Sequence, residues 1–244
     1  MSSQLENKKN HLFIVLGSFF LTNAIVAEFI GAKIFSLEKT LNLPQLNATL
    51  WGSPIHFDMT AGVILWPFVF IMTDIINEYF GKSGVRKLSY IAVFMLIYSF
   101  LMVRIAMGLE GADFWISSGT MKGIQDMTNA YNSVFGAGLM IIIGSLVAFL
   151  VGQLVDAMIF SKIKEKTSGN MIWLRATGST AVSQFIDSFV VLFVAFYLGG
   201  TFTFKQVMAI GLINYCYKFC MSILLLPLLY FVHHRIDKYL GIKS

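Results

Sequence analysis

Six runs of about twenty mostly apolar residues, at 12–33, 59–80, 87–107, 134–160, 174–199 and 205–232, set the terms for any fold this chain can adopt. At 1.5 Å of rise per residue, a helix needs about 20 such residues to cross roughly 30 Å of hydrocarbon. No water reaches the backbone between lipid tails, so only helices and closed β-barrels can span. The ten-residue alternation of a barrel strand is absent. The runs therefore predict an all-α polytopic membrane protein, a bundle of six transmembrane helices forming a single transmembrane domain over residues 1–244. Hydrophobic residues make up 57% of the chain and charged ones 13%, about half the charged share of a soluble globular protein. The first run follows Lys8 and Lys9, but it is too long for a signal peptide and has no small-residue cleavage site, so it reads as a retained helix.

Lysine and arginine accumulate in short cytoplasmic loops. Lys8 and Lys9, then Lys82, Arg86 and Lys87, then Lys162, Lys164, Lys166 and Arg175, then Arg235, Lys238 and Lys243 all fall on one side if six helices alternate. Both termini are therefore expected in the cytoplasm. Because basic residues are scattered between apolar blocks, with no basic face, no nucleic-acid partner is expected despite a pI near 9.1. The expected outer loops, 34–58 and 108–133, are long, and Leu41 to Phe57 reads either as a short hairpin or as a re-entrant loop.

Ionisable groups inside membrane helices cost about 2.5–3.5 kcal/mol each on insertion scales, so they normally face a bundle interior or a wet cavity. Asp74, Asn77 and Glu78 stand at i, i+3 and i+4, on one helix face. Gln153 with Asp156 and Gln184 with Asp187 repeat a Gln-x-x-Asp spacing on two successive helices of opposite direction, as in repeat-built transporters. Asn214 and Lys218 lie four apart on the last span, and Asn23 and Glu28 lie on the first. These groups are expected to turn toward one shared hollow. For Asp74 to Glu78 and for Asp156, near the cytoplasmic ends, a purely topological role competes. For Asp187 and Lys218 the rival is a buried ion pair that only joins two helices. Gly144, Ala148 and Gly152 form a small-residue stripe, suited to close packing within the bundle or between subunits. Cys216 and Cys220 share a face in an apolar run and form neither a disulfide framework nor a zinc pattern. No metal or cofactor site is expected. The H-E-x-x-H, G-x-S-x-G and Walker A signatures are absent, so the chain reads as no enzyme, and uphill transport would need an ion gradient, product trapping or a separate ATPase.

Carboxylates accept hydrogen bonds, carboxamides give and accept them, and Trp66, Phe70, Tyr79, Phe185, Tyr215, Tyr217 and Phe219 offer flat faces. The set suits a small polar, planar solute. Residues 61–82, with Thr73-Asp74-Ile75-Ile76-Asn77-Glu78-Tyr79-Phe80-Gly81-Lys82 at their centre, resemble the signature of the bacterial queuosine-precursor transporters, also grouped as the vitamin uptake transporter family. The resemblance continues through Gly152-Gln153 to Asp156, Ser183-Gln184-Phe185-Ile186-Asp187, Asn214-Tyr215, Lys218 and Pro227.

The resemblance implies import of 7-deazaguanine bases across the bacterial cytoplasmic membrane, a purine-like small-molecule substrate, and a homodimer. It gives Asp74, Asn77, Glu78, Gln153, Asp156, Gln184, Asp187, Asn214 and Lys218 as substrate-binding residues. Asp187 or Asp74 would take the paired N–H groups of the guanine-like edge, beside Gln184 and Gln153. The first sixty residues match only as a helix plus an outer loop. The rival reading is a substrate-capture subunit that depends on separate ATPase and scaffold proteins; a channel and an intramembrane enzyme are the remaining alternatives.

Overall fold

The computed structural model describes residues 2–44, 48–50, 52–136, 139–168 and 171–241. Five helices in it are long and apolar enough to cross a membrane, over Ser3–Ile30, Trp66–Met107, Ile141–Lys166, Ile172–Tyr197 and Phe204–Leu224. The first belongs to α1 (Ser2–Ile30) and the second is α3 (Trp66–Met107), which Pro67 opens without sacrificing a hydrogen bond.

Within α3 one residue leaves the helical region: Gly81 has φ 66° and ψ −179°, a conformation essentially reserved for glycine. Packing on α1 shows what it does. The ring of Phe13 meets Phe80 with centroids 4.9 Å apart, and a Cβ at Gly62 would lie 2.5 Å from the carbonyl oxygen of Ala27, so the first limb of α3 runs antiparallel to α1. A Cβ at Gly17 would lie 3.0 Å from Leu88, and Phe29 sits 6.0 Å from Phe100, so the second limb runs parallel to α1. The two limbs double back at Gly81. The loop expected between 80 and 87 shrinks to that glycine, and Lys82, Arg86 and Lys87 lie on the helix that resumes after it.

Two other expected boundaries change. The run 134–160 divides into α5 (Met127–Phe135), capped by the Asp126 carboxylate, and α6 (Leu139–Lys166). The amide of Gly136 closes α5 on the carbonyl of Asn132. The run 205–232 breaks at Leu225 into α8 (Phe204–Leu224), whose first turn carries a Thr203/Gln206 capping box, and α9 (Leu226–Leu240). Pro227 explains the break, because it has no N–H to continue α8 and suits the first turn of a new helix. α7 (Ile172–Leu192) widens into a π-helical turn over Phe193–Tyr197.

The segment after α1 forms β1 (Ile34–Ser36), the single turn α2 (Leu37–Thr40), β2 (Ala48–Leu50), β3 (Ser53–Ile55) and β4 (Asp58–Thr60). β2 pairs with β3 and β1 with β4, both antiparallel, so of the two readings of Leu41 to Phe57 the hairpin is the one found; residues 45–47 and 51 lie outside the described residues. Another single turn, α4 (Asp113–Ile116), precedes α5.

The small-residue stripe is used inside the chain. A Cβ at Gly144 would sit 3.1 Å from the amide nitrogen of Ala195 and 3.2 Å from the carbonyl oxygen of Val191; one at Gly152 would be 3.7 Å from the Cβ of Asp187. α6 and α7 therefore lie antiparallel with backbones in close approach, as such stripes allow. The apolar core runs along α1, α3, α6 and α9 through Phe20, Val69, Ile75, Leu88, Phe149, Phe160 and Leu229.

Candidate functional site

The face of α3 carrying Asp74 and Asn77 packs on α6, and the fit is made by polar groups. The Thr73 hydroxyl donates to Gln153 Oε1 at 2.5 Å. Asn77 donates to the carbonyl of Ala157 at 2.9 Å and accepts from the Ser161 hydroxyl at 3.1 Å. Contacts 73 to 153 and 77 to 157 keep one offset, so the first limb of α3 and α6 run in the same direction. On α7, Ser179, Ser183 and Asp187 recur every four residues, one face. The Ser183 hydroxyl donates to Asp156 Oδ1 at 2.9 Å. The Ser179 hydroxyl donates to the carbonyl of Ala176 at 3.2 Å and lies near the Asp74 and Asp156 carboxylates, which are close enough to interact electrostatically.

The result is a layer of polar side chains closed off from solvent: Gln153, Asp156 and Gln184 are 0% exposed, and Asp74 is 4% exposed. Several of its atoms have no hydrogen-bond partner among the described residues, namely Asp74 Oδ1, Asp156 Oδ2, Gln153 Nε2 and both amide atoms of Gln184. An unmade hydrogen bond on a buried polar atom costs about 1–3 kcal/mol. The layer therefore holds donors and acceptors that the protein itself leaves unmatched.

Two neighbouring groups are held by ion pairs. Toward the end of the bundle where the first limb of α3 ends, Glu78 pairs with Arg175 at 2.8 Å and Lys164 at 3.1 Å. Arg175 also lies over the Phe160 ring. From α9, Asp237 accepts from the Tyr79 hydroxyl at 2.7 Å and meets His233 at 3.1 Å. Glu78 thus belongs to an interhelical charge network that borders the layer and interacts electrostatically with Asp74, with α9 fastened beside it. Further along α7, Asp187 receives the Lys218 ammonium at 2.5 Å. Asn214, one turn before Lys218, is half-buried. Glu28 of α1 interacts electrostatically with both Asp187 and Lys218 and accepts a hydrogen bond from Ser145.

Of the nine expected site residues, Asp74, Asn77, Gln153, Asp156 and Gln184 share the layer, Asp187 and Lys218 form a pair, Glu78 joins the charge network and Asn214 lies beside the pair. The sequence reading missed Ser179 and Ser183, although their four-residue spacing on α7 was available as a signal; Glu28, singled out on the first span, lies beside the Asp187–Lys218 pair. The space at this layer is far smaller than a hollow sized for a flat base. The cleft that reaches it, lined by Phe70, Asp74, Thr180, Ser222 and Leu225, measures about 10 Å³, room for roughly one water. A larger groove of about 380 Å³ opens elsewhere, between the end of α3, α4 and α5.

A family model described as "Putative vitamin uptake transporter" matches residues 60–232. A Bacillus subtilis protein named "Probable queuosine precursor transporter" is 30% identical over 79% of this chain and 74% of its own length. A Haemophilus influenzae protein of the same name is 28% identical over 87% and 82%. The Escherichia coli "Queuosine precursor transporter" is 26% identical over 83% of each chain. No solved structure matches the chain.

Proposed function

The chain belongs to the vitamin uptake transporter family, and from that premise we propose that it imports queuosine precursors, 7-deazaguanine bases, across the bacterial cytoplasmic membrane. The observation that carries this reading is the unmatched layer on α3, α6 and α7. Asp74 Oδ1 and Asp156 Oδ2 are acceptors without donors, Gln153 Nε2 is a donor without an acceptor, and the Gln184 amide is both. A deazaguanine edge offers N–H donors next to a carbonyl acceptor, the complement of that set. Of the two carboxylates expected to take the edge, Asp74 is the better supported, because Asp187 is already engaged by Lys218. Gln153 and Gln184 meet the carbonyl, and Asn77, Asp156 and Asn214 complete the surround. Glu78, Asp187 and Lys218 hold the helices that carry it. With room for one water, the layer is in a closed state, and helix movement must open it.

Six spans with both termini in the cytoplasm are part of this reading. It is supported by the reversal at Gly81 and by the opposed directions of α1, the two limbs of α3, α6 and α7, continued by α8, where Tyr215 meets Phe185 and Gly211 meets Phe189. The contact of Lys8 with the carbonyl of Tyr239 adds to it. A homodimer, which the family resemblance implies, would use a surface other than the Gly144–Gly152 stripe, which packs on α7. Native mass spectrometry reads it.

The test is uptake of labelled aminomethyl-deazaguanine by cells that lack their own transporter and express this chain alone. Accumulation abolished by Asp74→Asn, with normal protein in the membrane, is the expected result. No uptake by the wild-type chain alone, restored by an added ATPase module, would instead favour a capture subunit.

A further inference from the structure

The groove between the end of α3, α4 and α5 has a composition unlike an accidental crevice. Its volume of about 380 Å³ falls within the range of small-molecule sites. Thr128, Tyr131 and Asn132 stand at i, i+3 and i+4 on α5 and all line it. Thr128 Oγ1 and Asn132 Oδ1 are buried without a hydrogen-bond partner among the described residues. Opposite them are Trp115, whose ring meets Tyr131 edge-on at 6.3 Å, the exposed ring of Phe114, and Glu110. Aromatic faces, an amide oxygen, a hydroxyl and a carboxylate together form a site for a flat, N–H-rich heterocycle: rings stack on it and acceptors take its edge.

A row of packed rings leads from the groove toward the buried layers. Tyr131 packs on Phe135 at 4.8 Å, and Phe135 packs on Phe29 at 6.3 Å. Phe29 follows Glu28, which lies beside Ser145, Asp187 and Lys218. An aromatic seam thus joins the groove to the polar interior.

We infer that this groove is an outer capture site, where a purine-like base docks against the aromatic wall of Phe114, Trp115 and Tyr131, with Thr128, Asn132 and Glu110 on its edge, before it enters the bundle. The inference rests on the import reading above and on the outward placement of residues 108–133 that goes with it. It adds a second, peripheral site that loads the closed one.

Two measurements test it. In cells, initial uptake of aminomethyl-deazaguanine by Tyr131→Ala and Asn132→Ala should show KM raised about tenfold and a maximal rate within about twofold of wild type, whereas Tyr131→Phe, which keeps the ring, should retain the wild-type KM. Both alanine variants are compared at equal amounts in the membrane. Independently, Cys216 and Cys220 are replaced by Ser and a single Cys is introduced by Ala112→Cys, at an exposed position lining the groove that takes no part in holding the base. Its reaction with a membrane-impermeant maleimide should slow at least fivefold in aminomethyl-deazaguanine and not in the same concentration of ribose. Unchanged KM in both alanine variants, or labelling indifferent to the base, overturns the capture site. The labelling needs no transport, so protection in a chain that moves no substrate would sink the import reading and leave the groove standing. Uptake with no protection would do the reverse.

Discussion

The Lys218 ammonium on α8 lies 2.5 Å from Asp187 Oδ2 on α7, and both residues are buried, 6% and 7% exposed. Each charge relieves the other of an isolation that hydrocarbon punishes. Removing one partner of such a pair costs about 3–5 kcal/mol, while replacing both by neutral groups is often tolerated. Lys218→Met alone should therefore lower the melting temperature and yield of the detergent-purified protein. Combining it with Asp187→Asn should recover most of the loss. A double variant as unstable as the single one would remove the pair from the structural account.

Gly81 should resist substitution. Its φ and ψ fall where an L-residue is strained by about 1–3 kcal/mol, although no atom lies within 4 Å of a Cβ there. Gly81→Ala should destabilise through the backbone alone, read as a lower melting temperature without loss of any side-chain contact. A neutral effect would mean that the reversal between the two limbs does not depend on this conformation.

The α6–α7 seam makes a contrasting prediction, because there the obstacle is space. A side chain at Gly144 meets the α7 backbone at 3.1 Å, and that backbone cannot yield as a rotamer can. Gly144→Leu should prevent stable insertion or reduce accumulation several-fold, whereas Gly52→Ala, in the outer hairpin turn at φ 82° with open space around it, should cost only about 1–2 kcal/mol of backbone strain. Equal accumulation of the two variants would refute the seam.

α9 is fastened by a hydroxyl. Tyr79→Phe removes the bond to Asp237 and leaves a buried carboxylate with His233 as its remaining partner. The expected loss is about 1–3 kcal/mol, and limited proteolysis should cut within 226–240 sooner than in wild type. Unaltered proteolysis would show that the apolar face of α9, with Leu229, Ile236 and Leu240 buried, suffices.

Sidedness is checked with single cysteines in a chain whose Cys216 and Cys220 are replaced by Ser. Lys39→Cys should react with an impermeant maleimide in intact cells, and Lys238→Cys only after lysis; both positions are exposed. The opposite pattern would invert the topology.

Much of this architecture was readable from the chain because lipid leaves few options: an apolar run of the right length becomes a helix whatever its neighbours do. The errors came at ends, where hydropathy is silent. Pro227 sits inside an unbroken apolar run, so hydropathy joined α8 to α9; the break required weighing its missing N–H against a helix that had no need to continue. Gly81 was hidden by the basic residues after it, which looked like a loop. For the candidate site, helical spacing placed Asp74 with Asn77 and Gln153 with Asp156, and the structure has all four in one layer. It could not show that Glu78 is claimed by Arg175 from another helix, because that depends on how α3 and α7 are rotated.

At Gly144 the main chain of α6 presses on that of α7, and lower down Ser183 ties the same two helices through Asp156, so they have little slack in which to slide. They form a strut, and whatever rocking exposes the unmatched layer falls to α3, α8 and α1.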